Sequence, residues 1–134
     1  MDESQDRAVH VSVPSRAEFL ALLRAVTGGV ATRMELSIDA IDDLRLAIDE
    51  AVAFLLTTNE DPSRVEMRLD PTDAELTATI GTDSQVGGWP PPGYEATLPW
   101  QVITALTDTA TTARSEVGTP TITIVKRTLT PRST

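Results

Sequence analysis

The chain has 134 residues, no cysteine and a formal net charge of −9 at pH 7, which comes from 20 acidic and 11 basic residues. The length predicts one domain with a single hydrophobic core, and the lack of cysteine excludes disulfides and thiolate metal sites. The acidic balance argues against direct nucleic-acid binding and favours a partner with a basic surface, such as a DNA-binding protein.

The alternative is that the acidity only maintains solubility. The opening MDESQDRAVH has neither an apolar core nor a basic leader, so we expect no secretory signal. No apolar run approaches the roughly 20 residues of a membrane helix. We therefore expect a soluble, cytoplasmic protein without membrane contact.

The first elements are predicted to be a strand and a helix. Residues 9–13, VHVSV, alternate apolar and polar side chains, which is typical of a half-buried strand. Ser15 and Glu18 have the spacing of a capping box, which predicts the start of a helix. Gly28 and Gly29 are expected to end it. Its apolar side comprises Phe19, Leu22, Leu23 and Val26.

A second helix is predicted from about Ser37. Its buried stripe comprises Ile41, Leu44, Ile48, Val52 and Leu55. A second stripe, roughly opposite, comprises Asp43, Leu46, Glu50 and Phe54. A helix packed on a sheet needs only one buried stripe, so this second one indicates a cleft or a bound partner. The alternative is a solvated Glu50 beside surface Leu and Phe side chains.

The second half of the chain is predicted to contain strands and a long loop. Alternation over residues 65–69 and 76–80 predicts an antiparallel hairpin with a polar outer face. Residues 81–99 hold four glycines and four prolines in 19 positions, which predicts a loop that is either functional or disordered. A short helix is expected from Pro99.

Two further strands, at about residues 108–114 and at TITIV, complete the order of elements. This order predicts an α+β fold. Specifically, we expect a two-layer α/β sandwich whose mixed, mostly antiparallel sheet is covered on one face by helices. Residues 1–134 then form a single domain with frayed termini, including the tail TLTPRST.

Four segments of the chain resemble, in this order, the RsbW-type anti-sigma factors. These proteins are serine kinases of the GHKL superfamily, which has the Bergerat ATPase fold. The segments are SRAEFLALLR, LSIDAIDDLRLAIDEA, ALTDTATT and GTPTITIVKR. LRLAIDEA is the most specific part, and the resemblance, strongest to actinobacterial members, runs from about Val9 to Arg127. It implies a GHKL fold in which residues 81–99 form a lid-like loop.

The resemblance also implies partners and an activity. Members of this family bind an alternative sigma factor and keep it from RNA polymerase. They also bind a STAS-domain antagonist and phosphorylate it on serine with ATP and magnesium. A sigma factor, a STAS-domain protein and a second copy of the chain are therefore the expected partners.

The catalytic positions implied by the resemblance are only partly kept. Glu50 corresponds to the candidate general base that activates the attacking hydroxyl. The Asn that coordinates magnesium in the family is replaced by Phe54, which offers no oxygen to a hard cation. Asn59 lies five residues further on, near the end of the helix, and does not replace it. The resemblance therefore implies no metal site in this chain.

The nucleotide-binding positions match unevenly. Asp83 corresponds to the acid that binds adenine in the family. The alternative is that it is an ordinary turn residue. Gly87 and Gly88 are kept from the family's glycine box, while Gln85 stands where the first glycine is expected. Thr119 matches the threonine of the family's GT pair. The alternative is that it has no role in binding, because threonine is common at the start of a strand.

The lid segment WPPPGYEATLPW lacks the basic residues that would face nucleotide phosphates. Phosphoryl transfer depends mainly on positioning and charge stabilisation, so the loss of the metal ligand and of a cationic lid removes the main contributions. Trp89, Tyr94 and Trp100 flank this segment and are candidate partner-binding aromatics. The alternative is that they pack the loop onto the sheet.

Three hypotheses follow. The first is an anti-sigma factor relieved by a STAS antagonist, with little or no kinase activity and no cofactor. The second is an active ATP-dependent serine kinase that holds magnesium through an unconventional ligand set. The third is a small-ligand sensor that uses the emptied nucleotide cleft, which requires an open pocket on the Glu50 side of the helix.

Overall fold

The computed structural model describes residues 7–59, 62–84 and 87–128. Its elements in chain order are β1 Val9–Pro14, α1 Ala17–Ala31, α2 Ile38–Thr58, β2 Arg64–Pro71, β3 Glu75–Thr82, α3 Leu98–Leu106, β4 Thr109–Arg114 and β5 Pro120–Arg127, with a 3-10 helix at Tyr94–Ala96. Within these described ranges, no helix is long and apolar enough to cross a membrane. The predicted fraying concerns the two ends of the chain, which lie almost wholly outside the described residues.

The five strands form one sheet in the order β1-β2-β3-β5-β4, and each neighbouring pair is antiparallel. α1 packs against β1 and β2, whereas α2 packs against β3 and β5. The Thr27 hydroxyl of α1, which donates to the Leu23 carbonyl over 2.8 Å, lies 3.4 Å from the Met67 sulfur of β2, where α1 meets the inner face of the sheet. The predicted two-layer α/β sandwich is confirmed, with antiparallel pairing throughout the described strands.

The core lies between the inner face of the sheet and the helices. Alternate residues of the strands form its sheet side, and Val65, Met67, Leu69, Leu76, Ala78, Ile80, Ile122 and Ile124 are each at most 2% exposed. The predicted stripe of α2 forms its helix side, because Ile41, Leu44, Ile48, Val52 and Leu55 are all buried. The removal of this apolar surface from water is the main source of stability for such a fold.

The first turn of α2 follows the prediction, but that of α1 does not. The Ser37 hydroxyl accepts the N–H of Ala40 over 3.0 Å and caps α2. The capping box predicted for α1 is wrong: its N-cap is Arg16, with no side-chain cap. Ser15 lies one residue too early, in the turn where its N–H donates to the Ser63 carbonyl, and Glu18 forms an ion pair with Arg16 instead.

The end predicted for α1 is also wrong, because the helix continues through both glycines to Ala31. Gly28 is buried, and a Cβ at this position would overlap the guanidinium of Arg45 from α2. This glycine therefore permits close packing between the two helices and does not terminate α1. Of the predicted apolar side, Leu23 is fully buried but Leu22 is 48% exposed.

The irregular connection between β3 and α3 is shorter than predicted. β3 continues to Thr82, because its glycine still pairs with both neighbouring strands. α3 begins at Leu98, one residue before Pro99. The connection therefore covers residues 83–97 instead of 81–99.

The two glycines of α1 give a test of this packing. Gly29→Ala is expected to raise the free energy of unfolding by about 0.5–1 kcal/mol, because alanine favours a helix and no atom lies within 4 Å of the new Cβ. Gly28→Ala is the matched control. It brings the same gain in helix propensity, but its new Cβ displaces the guanidinium of Arg45, and this cost offsets the gain. Urea unfolding measures both values. Equal stabilisation by the two substitutions would contradict the packing of Arg45 on Gly28.

Candidate functional site

The second stripe of α2 is divided among different environments. Phe54 is buried at 4% exposure, whereas Leu46 is 53% exposed. Glu50 is half-buried one helical turn before Phe54. The carboxylate of Asp43 lies 3.6 Å from the Lys126 amine of β5. The chain itself therefore buries the Phe54 end of this stripe and contacts Asp43 through β5, and it leaves Leu46 exposed.

Phe54 lies in a cluster of four aromatic rings. Its ring centroid is 5.6 Å from that of Trp89, 6.1 Å from that of Trp100 and 6.5 Å from that of Tyr94. Tyr94 and Trp100 also meet edge to face at 5.0 Å. These separations are those of favourable aromatic pairs. We call the segment from Trp89 to Trp100, which supplies three of the rings, the aromatic strap.

Hydrogen bonds attach the aromatic strap to β4. The indole N–H of Trp89 donates to the Ala113 carbonyl over 2.9 Å, and the Arg114 guanidinium donates to the Trp89 carbonyl over 3.2 Å. The Thr112 hydroxyl donates to the Tyr94 hydroxyl oxygen over 3.2 Å. Both indoles are 5% exposed, so they pack the strap onto the fold. A role for these aromatics in partner binding stays a prediction.

Asp83 lies just after β3 and joins it to the start of β2. Its carboxylate accepts the N–H of Ser63 over 2.9 Å, the N–H of Arg64 over 3.1 Å and the Ser63 hydroxyl. The hydrogen bond from the Ser63 hydroxyl is the main cause that lowers the pKa of Asp83. Burial opposes it, and the backbone N–H groups of Arg64, Ser63 and Asp83 itself add to the lowering. The side chain thus has a structural role in addition to any contact with a ligand.

Thr119 lies in the turn between β4 and β5. Its hydroxyl is 2.6 Å from the Ser115 hydroxyl, which also accepts the N–H of Thr119 over 3.1 Å. Because Gly81 pairs with Thr121, this turn and Asp83 lie at the same end of the sheet. The strap meets β4 at this end too, so the structure brings two of the four predicted nucleotide positions, Asp83 and Thr119, to the end of the sheet where the strap is attached.

The remaining predicted positions add little to this region. Gly87 and Gly88 are exposed, and Gly88 has φ = 85°, which favours glycine. Gln85 lies outside the described residues. Among the described residues, no group of three or more His, Asp and Glu side chains is placed to hold a metal ion.

Sequence reasoning missed the residues of β4 that hold the strap. Arg114 donates to the carbonyls of both Trp89 and Gly118 and so connects the strap to the β4–β5 turn. Thr112 supplies the hydroxyl that meets Tyr94. A basic residue at the end of a polar strand is an ordinary surface pattern, so the sequence carries no signal for these contacts.

Comparison with known proteins identifies the relatives of the chain. No family model matches it. It is 34% identical over 102 residues to the anti-sigma-F factor RsbW of Mycobacterium tuberculosis, which is 76% of this chain and 59% of that protein. The chain is therefore similar to RsbW proteins over about three quarters of its length. This confirms the resemblance inferred from its four segments.

Shorter matches agree with this relationship. The chain is 40% identical over 43 residues to the serine-protein kinase RsbW of Bacillus thuringiensis and of Bacillus cereus. These matches cover 32% of this chain and 27% of either kinase. The chain spans about three-fifths of the length of the Mycobacterium tuberculosis relative.

Phe54 provides a test of the aromatic cluster. Phe54→Ala is expected to lower the free energy of unfolding by about 3–5 kcal/mol, because it leaves a cavity between three rings. The fluorescence emission of the two tryptophans should shift to longer wavelength as the strap loosens. Phe19→Ala, which changes the other, half-buried phenylalanine, is the control and leaves the emission wavelength unchanged. An unshifted emission in Phe54→Ala would show that the strap is held without this ring.

Asp83 gives a pH-dependent prediction. Its pKa in the folded protein is below 3.8, so its charged form stabilises the fold above that pH and the contribution is lost as pH falls through the lower folded pKa. Asp83→Asn is therefore less stable than wild type at pH 7, and the difference shrinks below pH 3.8. Urea unfolding at several pH values measures it. Glu116→Gln, at an exposed residue, is the control, and a pH-independent difference for Asp83→Asn would contradict this role.

Proposed function

We propose that the chain is an anti-sigma factor that binds and sequesters an alternative sigma factor. A STAS-domain antagonist releases the sigma factor, and the chain transfers little or no phosphate. The observation that carries this proposal is the 34% identity with the anti-sigma-F factor RsbW over 76% of the chain. The net charge of −9 supports it, because a sigma factor is a DNA-binding protein with basic surface.

The surroundings of Phe54 support the proposal of low kinase activity. The resemblance places a magnesium ligand at this position, and here the position holds a buried ring between three aromatic side chains. Magnesium takes oxygen ligands, and the single oxygen on these four rings, the Tyr94 hydroxyl, accepts from the Thr112 hydroxyl. The residues present therefore do not fit Mg-ATP at this position, and the proposed protein uses no cofactor.

The alternative is an active serine kinase that phosphorylates the STAS-domain protein. The observation that favours it is the 40% identity with two proteins named as serine-protein kinases. Glu50 would then be the general base, and Asp83 and Thr119 would contact the nucleotide.

The sensor hypothesis finds less support. Three of the surface cavities on the described part of the molecule are lined by neither Glu50 nor Phe54. A sensor that uses the emptied nucleotide cleft requires an open pocket on this side of α2.

We also infer a homodimer, as the resemblance implies, and a cytoplasmic location, because a sigma factor meets RNA polymerase there. Sedimentation velocity of the purified chain tests the first inference. A mass of twice 14.4 kDa supports a dimer, and a monomer at all concentrations contradicts it.

Calorimetric titration with ATP, with and without magnesium, separates the two functions. We expect no heat up to millimolar ATP in a sample that binds a purified sigma factor from the genome that encodes the chain. Magnesium-dependent binding at micromolar ATP would overturn the assignment of Phe54, and phosphorylation of a STAS-domain protein would then be assayed.

Glu50→Gln tests the same point without a nucleotide-binding assay. If release of the sigma factor needs no phosphoryl transfer, this substitution leaves both sigma-factor binding and its release by the STAS-domain protein unchanged. An active kinase would instead lose phosphorylation of the STAS-domain protein while it keeps sigma-factor binding.

A further inference from the structure

The aromatic strap turns its rings toward the inside of the molecule. All three rings lie against Phe54, and both indoles are 5% exposed. The residues that the strap exposes to solvent are Pro90, Pro92, Gly93, Glu95, Ala96 and Leu98. The strap therefore lies over the C-terminal half of α2 with its aromatic surface already in use.

The backbone of the strap is hydrogen-bonded within the strap itself. The N–H of Tyr94 donates to the Pro91 carbonyl over 3.1 Å. The N–H of Ala96 donates to the Gly93 carbonyl over 3.1 Å, and that of Thr97 donates to the Tyr94 carbonyl over 3.0 Å. A loop that holds an anion does so with free backbone N–H groups or basic side chains. These three N–H groups are engaged, and the strap contains no basic residue.

The two ends of the strap are attached to different parts of the fold. At its first end, the indole of Trp89 donates to the Ala113 carbonyl of β4. At its other end, the Thr97 hydroxyl accepts the N–H of Trp100 over 3.4 Å and caps α3, which packs on α2. The strap thus connects β4 to α3, and between these attachments it contacts the Phe54 ring.

The ring of Phe54 is always present beneath the strap, because it belongs to the same chain. Closure by a bound ligand rises and falls with the concentration of that ligand, whereas an intramolecular contact acts at a constant effective concentration. The ring is 4% exposed, so it fills the space against which the strap closes. A smaller side chain at this position would leave a cavity among the rings.

We infer that the aromatic strap is a lid that the protein itself holds closed, with the Phe54 ring in place of a ligand. The closed strap excludes a nucleoside triphosphate from the space that the ring fills. It also presents the same outer surface at every nucleotide concentration, so binding of a protein partner does not depend on nucleotide. This last point rests on the proposed function, in which the partner is a sigma factor.

Limited proteolysis of the whole chain tests whether the strap is closed. Endoproteinase Glu-C cleaves after glutamate, and cleavage requires that the surrounding segment opens. Glu95 lies exposed in the middle of the strap, and Glu35 lies exposed in the connection between α1 and α2. Cleavage after Glu95 therefore measures opening of the strap, and cleavage after Glu35 is the reference within the same molecule. Mass spectrometry of the products gives both rates.

Phe54→Leu tests the contribution of the ring, because it removes the ring but keeps an apolar side chain. We expect this variant to raise the rate of cleavage after Glu95, relative to that after Glu35, by roughly tenfold. Phe19→Leu, the same change at the other, half-buried phenylalanine, is the control and leaves the ratio of the two rates unchanged. Circular dichroism verifies that both variants are folded. An unchanged ratio in Phe54→Leu would overturn the inference.

Wild type alone gives a second measurement, which decides the question even if Phe54→Leu does not fold. We expect cleavage after Glu95 to be slower than cleavage after Glu35, and equally slow with and without millimolar Mg-ATP. A strap that is cleaved as fast as the reference site would be open. A strap that Mg-ATP protects would be closed by a ligand. Either result overturns the inference.

Binding of the purified sigma factor separates this inference from the proposed function. Fluorescence anisotropy of the labelled sigma factor should give the same Kd with and without Mg-ATP. A sigma factor that binds only with Mg-ATP would overturn the inference and leave the anti-sigma function intact. No binding in either condition, with Glu95 protected and insensitive to Mg-ATP, would refute the proposed function and support the closed strap.

Discussion

The packing of Phe54 against three aromatic rings determines how the second half of the molecule is assembled. The ring projects from α2, and its neighbours come from the connection after β3 and from α3. Without Phe54, the aromatic rings of this glycine- and proline-rich segment would have less apolar surface to pack against. The segment would then gain less free energy to offset the entropy lost when it adopts one conformation. Tryptophan and tyrosine also carry polar atoms, and these find partners in β4. One buried ring thus links the helical layer to the far strand of the sheet.

This arrangement separates the parts of the molecule that support binding from those that would support catalysis. Where the resemblance implies an oxygen ligand for a metal ion, this chain has the hydrocarbon ring of Phe54, packed in the aromatic cluster. The carboxylate of Asp83 and the hydroxyl of Thr119 already take part in the turns of the sheet. The solvent-facing side of α1 and α2 carries neither of these features, and Leu22 and Leu46 are about half exposed there.

The sequence was sufficient to predict the fold because its periodicities are clear. Alternation in β2 and β3 and the stripe of α2 agree with the burial of every side chain assigned to them. The errors at α1 have one cause, which is tertiary packing. Gly28 and Gly29 have the local pattern of a helix end, but Arg45 from another helix occupies the space beside Gly28, and nothing in the local sequence indicates that contact. The same holds for Phe54, whose ring partners lie far along the chain.

The hydrogen bonds between the aromatic strap and β4 also have a consequence for solubility. β4 is the last strand of the sheet, and the backbone of such a strand is open to pairing with strands of other molecules. The indole N–H of Trp89 donates a hydrogen bond to the Ala113 carbonyl, and the hydroxyl of the neighbouring Thr112 donates to Tyr94. A strand from another chain would have to displace a buried tryptophan to pair at this end of β4. The strap therefore protects the sheet edge from intermolecular β-pairing, which is a source of aggregation.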